Sequence, residues 1–342
     1  MPLSAMQAIQ FLGSQFTWLP RATSAPILTG KTVILTGANS GIGWEAGHQL
    51  AAMKPKRLIL ACRDMKTGAA ALESVLSKYP GTNATVWNLD LASFENIKEF
   101  AARANKELDV VDVAVLNAAM NPGFADAPMK TTVDGHEVTQ QVNILSTILL
   151  SLLLQPLLAK SVDPTLVITS SEVHMFCGHQ LIANAVHTHS SILAAYDDKS
   201  RFVCGDRYFE SKLLLQLVIR QLIGDLPDIK IVAVNPGMCR SNLGREMTSI
   251  GMRIGIIINN YTLSRSAWNG AVNVTKAIEA TESQEYWSDC APAASSSVFL
   301  GSATGHAASK QYYHEVMAVL DKVSPGCTAP LGVASRHAQP SL

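Results

Sequence analysis

Short apolar runs rich in valine, isoleucine and leucine alternate along the chain with longer stretches in which apolar residues recur at helical spacing. The apolar runs predict six buried strands, at residues 32–36, 57–61, 85–88, 110–116, 165–169 and 229–234. The helical spacing predicts five helices, at residues 44–53, 65–79, 94–106, 132–160 and 207–223. Apolar strands separated by helices are typical of βαβ units. The pattern therefore predicts an α/β fold with a doubly wound parallel sheet.

Neither an internal repeat nor a linker interrupts this alternation, so a single large domain is expected. We expect it over residues 31–323, with an extension at 1–30 and a flexible tail at 324–342, where small residues and proline predominate. Residues 5–16 are apolar but lack the charged start and cleavage site of a signal peptide. We expect them to form a helix on the domain surface, with attachment to a membrane surface as the alternative.

The longest apolar stretch, residues 144–158, is interrupted by serine, threonine, glutamine and proline. It is therefore predicted to be a buried helix, on the sheet or in a subunit interface, and no transmembrane segment is expected. The 27 lysines and arginines balance the 27 aspartates and glutamates, so a general attraction to nucleic acid is not expected. The six cysteines form no Cys-x-x-Cys pair, which indicates reduced thiols in a cytoplasmic protein and no zinc site.

A glycine-rich turn joins the first predicted strand to the first predicted helix. It reads Thr-Gly-Ala-Asn-Ser-Gly-Ile-Gly over residues 36–43. Glycine permits a tight turn and a close backbone approach, and the free amides of the following helix can bind a pyrophosphate. The turn therefore predicts a dinucleotide site with these members: Gly37, Asn39, Ser40, Gly41, Ile42 and Gly43.

The end of the second predicted strand indicates which dinucleotide binds. NAD sites usually carry a carboxylate there for the ribose 2′-hydroxyl. In this chain Cys62 occupies that position and Arg63 follows it, and a guanidinium suits a 2′-phosphate. NADP (NADPH) is therefore the expected cofactor, with a surface ion pair between Arg63 and Asp64 as the alternative role. Asp90, next to Leu91, follows the third strand and is expected at the adenine, with helix capping as its alternative.

Tyr208 and Lys212 are four residues apart, and a helix brings such positions to one face. The Lys212 ammonium would then lie beside the Tyr208 phenol and lower its pKa from about 10. A phenol tuned in this way can give a proton to a carbonyl oxygen or take one from an alcohol. The pair therefore indicates an oxidoreductase acting on ketones or alcohols, and Ser170 and Ser171 lie upstream at the end of an apolar run.

These motifs occur in the order typical of the short-chain dehydrogenase/reductase family, which the chain resembles from residue 31 to residue 323. The motifs are the glycine-rich turn, Asp90, Asn117-Ala118-Ala119, Asn143, Ser171, Tyr208-x-x-x-Lys212 and Asn235-Pro236-Gly237. Residues 61–64, 236–245 and 286–290 further resemble the branch that contains retinol dehydrogenase and protochlorophyllide reductase. The resemblance implies a Rossmann-type fold and a nicotinamide cofactor.

The resemblance also implies a role for each catalytic position. Tyr208 would be the general acid in reduction, Lys212 would lower its pKa and bind the nicotinamide ribose, and Ser171 would hydrogen-bond the substrate oxygen. Ser171 is preferred over Ser170 because the family's catalytic serine is usually the second of such a pair. Asn143 would hold a water in a proton relay to Lys212, with a helix amide bonded to backbone as the alternative. The implied cofactor contacts also include Asn117, Ala118, Ala119, Tyr208, Lys212, Pro236, Gly237 and Ser241.

The chain departs from the family pattern in two places, and the resemblance implies a lid at a further variable region. Ala119 stands where the family has glycine, so altered cofactor geometry near the ribose is expected. Residues 173–206 are an insertion that suggests a cover at the mouth of the substrate site. Its histidines are expected to be solvated rather than metal ligands: His174, His179, His187 and His189. Residues 240–261, rich in isoleucine and methionine, are expected to form a lid over a bulky apolar ligand, with a helix packed on the core or a partner subunit as the alternative.

The expected function is NADPH-dependent reduction of a ketone or aldehyde, or the reverse alcohol oxidation, on a hydrophobic small molecule such as a secondary metabolite. One alternative is a different reaction in the same site, namely enone double-bond reduction, epimerisation or dehydration. Another is a non-enzymatic NADP-binding protein, which is disfavoured because such proteins usually lose the tyrosine or the lysine. Family members commonly pair through two long helices, so a homodimer or homotetramer is expected.

Overall fold

The computed structural model describes residues 13–15, 17–123, 127–240, 264–295 and 297–331. Within them an eight-stranded sheet has the order β3-β2-β1-β4-β5-β6-β7-β8. The strands are β1 (Thr32–Thr36), β2 (Arg57–Cys62), β3 (Ala84–Asn88), β4 (Val113–Leu116), β5 (Thr165–Thr169), β6 (Lys230–Asn235), β7 (Gln284–Ser288) and β8 (Ala291–Pro292). Neighbouring strands are parallel except β7 and β8, which are antiparallel. The predicted Rossmann-type, doubly wound α/β fold is confirmed.

The helices follow the strands in the predicted order. They are α1 (Gly41–Ala52), α2 (Met65–Lys78), α3 (Phe94–Glu107), α4 (Val138–Gln140), α5 (Ser146–Leu158), α6 (Gln180–His187), α7 (Ile192–Asp197), α8 (Cys204–Asp225), α9 (Ala267–Lys276), α10 (Val298–Gly301) and α11 (Ala303–Val323). A π-helical turn, Gln141–Leu145, joins α4 to α5. Short 3-10 turns occur at Glu172–Met175, Lys199–Arg201, Ala277–Glu279 and Ala329–Leu331.

The sheet separates two core layers because alternate side chains of a strand point to opposite faces. Ile34 and Ile168 lie in the layer formed with α3, α5, α8 and α11. Val33 and Val167 lie in the layer formed with α1, α2 and α9. The strand order reverses between β1 and β4, so the carboxyl ends of these strands open a crevice where parallel α/β sheets bind ligands.

The insertion at 173–206 is helical rather than an open cover. Ile182 of α6 and Ile192 of α7 are fully buried in the core layer that contains α11. Glu315 of α11 holds the first turn of α7, because its carboxylate accepts hydrogen bonds from three donors: Ser191 Oγ (2.8 Å), Ile192 N (3.1 Å) and Leu193 N (2.7 Å). The middle of the insertion is therefore part of the core, and only its two ends lie next to residues of the candidate site.

The long helices expected in a subunit interface are covered by the chain itself. The stretch Val138–Leu158 is long and apolar enough to cross a membrane by length and composition, but most of it is buried within the fold, as in a core helix. Helix α11 packs along α8, where Ser309 Oγ donates to the carbonyl of Leu217 at 2.6 Å. Tyr312 of α11 also donates to Gln140 Oε1 of α4 at 3.2 Å.

Three predicted segments extend beyond the described residues. Of the surface helix expected at 5–16, only 13–15 are described, and they form a helical turn. The lid expected at 240–261 lies outside the described residues apart from Arg240. Of the tail expected at 324–342, residues 324–331 are described, and Leu331 is buried in the core beside α11 rather than loose.

Candidate active site

The two adjacent serines after β5 point to different partners. Ser170 is buried, and its hydroxyl accepts a hydrogen bond from Gln216 Nε2 at 2.6 Å. The Ser171 side chain instead lies beside Tyr208 of α8, close enough to lower the pKa of the phenol, and its Oγ accepts from the Val173 N–H at 3.4 Å. The structure therefore brings Ser171, the serine chosen from the sequence, together with Tyr208, while Ser170 forms its hydrogen bond in the protein interior.

Lys212 is fully buried beneath Tyr208, with 1% of its surface exposed. Its Nζ lies 5.7 Å from the centroid of the Tyr208 ring and donates to the Thr169 carbonyl at 2.9 Å. Burial lowers the pKa of Lys212 to about 7, because the charged ammonium loses its hydration. The predicted arrangement of the pair on one helix face is therefore present.

The pKa of Tyr208 is set first by its own desolvation. Burial raises this pKa to about 12, and the neighbouring Ser171 side chain offsets only part of that rise. Tyr208 is therefore a neutral phenol at neutral pH, and thus a proton donor. The effect expected of Lys212 on the phenol stays a prediction.

Asn143 lies in the π-helical turn and is bound to protein groups. Its Nδ2 donates to the Met120 carbonyl and to Ser211 Oγ, both at 2.9 Å. Its Oδ1 accepts from the Met120 N–H at 2.8 Å. The side chain has the geometry of the alternative role, an amide bonded to backbone, and only one lone pair of Oδ1 is left for a water. Because this amide fixes Met120 against α8, it holds the strand-end loop after β4 beside Tyr208.

The glycine-rich turn has the backbone shape that the sequence predicts. Gly37 and Gly41 have φ of 68° and 54°, values that side chains rarely adopt. A Cβ at Gly43 would lie 2.1 Å from the Gly37 carbonyl oxygen, so only glycine fits there. Ser40 precedes α1, but its side chain makes no capping hydrogen bond, which leaves the first amides of α1 free of a side-chain cap.

The residues around this turn are fixed by hydrogen bonds between strand ends. Asn39 donates to Thr67 Oγ1 at 2.9 Å, and Asn117 donates to the Thr36 carbonyl at 3.2 Å. The Ala118 N–H donates to Thr36 Oγ1 at 3.0 Å. Ala119 has no positive φ, so its methyl group causes no backbone strain at the place where the family has glycine.

Arg63 is exposed, and its guanidinium pairs with no other side chain in the described part of the chain. Asp64 does not pair with it, because the Asp64 carboxylate caps α2 by accepting from the Thr67 N–H at 2.8 Å. The surface ion pair considered for Arg63 is therefore absent from the described residues. Cys62 is buried at the end of β2.

Asp90 and Leu91 lie at the start of the turn that leads into α3. Asp90 Oδ1 accepts from the Ala92 N–H at 3.0 Å, while Ser93 is the residue that caps α3. The Leu91 carbonyl accepts from Ser146 Oγ at 2.6 Å. These bonds fix the loop after β3, where the adenine is expected.

Pro236 and Gly237 follow β6 on the other side of the crevice. Gly237 has a φ of 79°, and a Cβ there would lie 2.9 Å from Arg265 Nη1. Asn235 Oδ1 accepts from the Gly237 N–H at 3.0 Å and from the Glu172 N–H at 3.1 Å, which ties the ends of β5 and β6 together. Ser241, the implied contact with the nicotinamide carboxamide, lies outside the described residues.

The expectation that the insertion histidines are solvated is wrong for His174. His174 is buried, with Nδ1 at 2.5 Å from the Ser171 carbonyl oxygen and Nε2 at 2.6 Å from Ser295 Oγ. Burial lowers its pKa to about 4, so it is a neutral ring that buttresses the backbone of Ser171. His179 stacks on Phe299 with ring centroids 4.6 Å apart, and His187 is exposed.

Two groups near the site were not singled out from the sequence. Glu172, directly after Ser171, is buried, and burial raises its pKa to about 7. Arg265 lies under the loop after β6. Because Glu172 is adjacent to Ser171 in the sequence, it could have been recognised from the sequence, whereas no local motif marks Arg265. Across the described ranges, no group of three or more potential ligands could hold a metal ion.

Comparison with known proteins decides the family. The family model for short chain dehydrogenase matches residues 31–183. The short chain dehydrogenase/reductase dmxR8 of Cryptosporiopsis sp. (strain 8999) is 32% identical over 335 residues, which cover 93% of this chain and 99% of that protein. The chain belongs to the short-chain dehydrogenase/reductase family. This assignment indicates what the crevice binds, because proteins of this family bind a nicotinamide cofactor at such a site.

Other relatives of this short-chain dehydrogenase/reductase agree with the assignment. The short chain dehydrogenase sol3 of Alternaria solani is 38% identical over 249 residues, which cover 71% of this chain and 84% of that protein. The solved structure of salutaridine reductase from Papaver somniferum has a TM-score of 0.59 and 19% identity, and it covers 76% of this chain and 100% of its own. At that identity the likeness supports the fold. The resemblance to the retinol dehydrogenase and protochlorophyllide reductase branch stays a prediction.

Proposed function

We propose that this short-chain dehydrogenase/reductase catalyses the NADPH-dependent reduction of a ketone or aldehyde on a hydrophobic small molecule. The observation that carries the proposal is the placement of Ser171, directly after β5, beside Tyr208, whose ring centroid lies 5.7 Å from the buried Lys212 Nζ at the carboxyl edge of the sheet. Two hydroxyls that meet at this edge can hold one carbonyl oxygen, while the glycine-rich turn lies at the end of β1 in the same crevice.

The protonation states favour the reductive direction. Because burial raises the pKa of Tyr208 to about 12, its hydroxyl keeps its proton until an oxygen of higher basicity appears. An alkoxide is such an oxygen, so Tyr208 gives up its proton as the carbonyl oxygen gains charge. Ser171 donates a hydrogen bond to the same oxygen and stabilises that charge. Lys212 returns to its ammonium form readily near pH 7, where it can stabilise the transient phenolate.

The residues present fit a nicotinamide dinucleotide. The uncapped first turn of α1, behind Gly41 and Gly43, offers backbone donors to a pyrophosphate. Arg63, exposed at the end of β2 beside an uncharged Cys62, suits the 2′-phosphate of NADP. When bound, NADPH supplies the hydride that reduces the carbonyl carbon. Asp90, Asn117 and Gly237 border the same crevice at the ends of other strands.

The apolar substrate is inferred from sequence outside the described residues. Residues 241–263 carry repeated isoleucines and methionines directly after the loop that follows β6. Apolar side chains at the mouth of a site favour a bulky apolar ligand, and a secondary metabolite is one such class. All six cysteines carry free thiols, which suits the reducing cytoplasm as the place of action.

The direct test is NADPH oxidation with a panel of apolar ketones and aldehydes, followed by product analysis with NADPH that carries deuterium at both C4 positions. We expect the deuterium at the former carbonyl carbon of an alcohol product. Deuterium on a carbon of a former C=C bond would assign enone reduction instead. Label that stays out of the product would assign epimerisation or dehydration, and both outcomes would overturn the proposal, as would a panel without any turnover.

A further inference from the structure

The N-terminal extension reaches the edge of the site through Ser14 and Gln15. Gln15 is buried, with 7% of its surface exposed. Its Nε2 donates to Glu172 Oε1 at 2.7 Å, and its Oε1 accepts from the Met238 N–H at 3.0 Å. The Ser14 hydroxyl donates to Glu172 Oε2 at 3.2 Å. One glutamine side chain thus links the residue after Ser171 to the loop that follows β6.

Glu172 is the receiving group on the β5 side. It has 4% of its surface exposed, and its carboxylate takes up the hydrogen bonds of the extension. The charge of Arg265 lowers the pKa of the Glu172 carboxyl, whereas the charge of Asp289 raises it. The Glu172 carboxylate in turn raises the pKa of Tyr286 and of Cys239. A buried carboxyl needs such donors, because an unpartnered one would carry a large desolvation cost.

Arg265 holds the same loop from its other side. Its guanidinium donates to the carbonyl of Ser14 and, at 2.5 Å, to Asp289 Oδ1. Its backbone N–H donates to the Met238 carbonyl at 2.8 Å, and its carbonyl accepts from the Arg240 N–H at 2.9 Å. The loop after β6 is therefore clamped between Arg265 and the extension.

This loop lies against the reacting residues. Asn235 Oδ1 accepts from the Gly237 N–H of this loop and from the Glu172 N–H, which places the loop beside the residue that follows Ser171. Glu172 follows Ser171 directly in the chain. The extension therefore contacts the site on the β5 and β6 side, away from Arg63 and the end of β2, where the 2′-phosphate is expected.

We propose that Gln15 and Glu172 are positioning residues that fix residues 13–15 of the N-terminal extension as a wall of the substrate-binding end of the site. The inference rests on the proposed carbonyl reduction. It adds a determinant of substrate specificity, Gln15, that lies outside the catalytic domain expected at residues 31–323. A wall held in place before the substrate arrives lowers the ordering cost of binding. Its loss therefore weakens substrate binding more than it slows the chemical step.

The test compares steady-state kinetics of Gln15→Ala and Glu172→Ala with the unmodified protein, using a ketone found in the panel. Each substitution is expected to raise KM for the ketone about tenfold, the effect of losing one good interaction, while kcat and KM for NADPH stay close to their original values. Glu172→Gln keeps an oxygen for Gln15 Nε2 and is expected to retain a low KM. Thr23→Ala is the matched control, because it removes another contact of the extension, with Glu279 near the amino end of β6, and should leave KM unchanged.

Unchanged KM in both alanine variants would overturn the inference, and so would a decrease, since a lower KM means that the extension obstructs the substrate. A second measurement needs no turnover. If Gln15 and Glu172 act through their contact with each other, the double variant Gln15→Ala/Glu172→Ala has a Tm no lower than that of the less stable single variant. If the decreases in Tm of the two single variants add up in the double variant, the two residues act independently and the inference is contradicted. Failure of the proposed function itself shows as an unmodified protein that reduces no carbonyl, which is a different result.

Discussion

At the scale of single residues, function depends on what a side chain contacts rather than on its type. Ser170 and Ser171 are adjacent and chemically identical, yet one hydrogen-bonds to Gln216 and the other lies beside Tyr208. The family resemblance chose between them by position in a pair. The contacts give the physical reason for the choice, because Ser171 has an extended backbone conformation, in which successive side chains point to opposite sides.

The serine pair yields a prediction with its own control. Ser171→Ala should lower kcat for carbonyl reduction about 10²-fold, since it removes a donor to the developing alkoxide. Ser170→Ala should leave kcat close to its original value and reduce the free energy of unfolding by about 1–3 kcal/mol, because buried Gln216 loses its acceptor. Steady-state kinetics and denaturant unfolding of both variants check this. Equal losses of kcat would contradict the assignment.

Arg63 yields a prediction about cofactor choice. Arg63→Asp removes the cation expected at the 2′-phosphate and places a carboxylate near the ribose, so KM for NADPH should rise about 10²-fold and KM for NADH should fall. Arg57→Ala is a suitable control, because Arg57 starts the same strand and pairs with Glu107 instead. An unchanged ratio of the two KM values would show that Arg63 does not select the cofactor.

At the scale of elements, the periodic strands and helices were predictable and the less periodic ones were not. The strand at 165–169 is confirmed, and β2 and β3 differ by one residue at one end. The helix expected from residue 132 begins at Val138, because the Glu137 side chain accepts from the N–H groups of Thr139 and Gln140 and caps it there. The strands β7 and β8 and the helices α9 and α11 were missed, because a partly buried strand, a two-residue exposed edge strand and helices of mixed polarity have weak apolar periods.

Some features of the candidate site could likewise be predicted from the sequence, and others could not. The backbone conformations of the glycine-rich turn and the pairing of Tyr208 with Lys212 follow from local sequence. The pKa of Tyr208, the burial of His174 and the contact between Gln15 and Glu172 depend on tertiary packing between residues far apart in the chain. Local sequence carries no signal for such contacts, so the structure was needed to find them.

The packing of the insertion at 173–206 against α11 can be tested at the scale of elements. Glu315→Ala removes the acceptor of three hydrogen bonds at the start of α7, so we expect the free energy of unfolding to fall by about 1–3 kcal/mol. Proteolysis between α6 and α8 should also become faster. Glu285→Ala, which removes an exposed ion pair with Arg220, should cost less than about 1 kcal/mol. Equal stability of the two variants would contradict the docking.

At the scale of the whole molecule, the chain buries the helices through which its family commonly pairs. Helix α11 lies along α8, and α3 packs against α5. The apolar side chains of α5 are almost all buried within one chain, which leaves little apolar area for a partner there. The expected homodimer or homotetramer through these helices is therefore not favoured.

A chain that keeps these helices covered is expected to be a monomer unless another surface pairs it. Light scattering coupled to size-exclusion chromatography should give a molar mass near 36.6 kDa at micromolar concentration. A mass of twice that value would show that a different surface pairs the chains, and a crosslink between two copies of α8 would show that α11 leaves its place.

The account depends most on Tyr208 as the proton donor, and Tyr208→Phe tests it most directly. The substitution keeps the ring above Lys212 and removes only the hydroxyl, so kcat for NADPH-dependent carbonyl reduction should fall about 10²- to 10⁴-fold. Tyr313→Phe removes a hydroxyl that binds Asp225 on the far helix α11 and should keep its kcat. Tyr208→Phe with unchanged kcat would contradict the account.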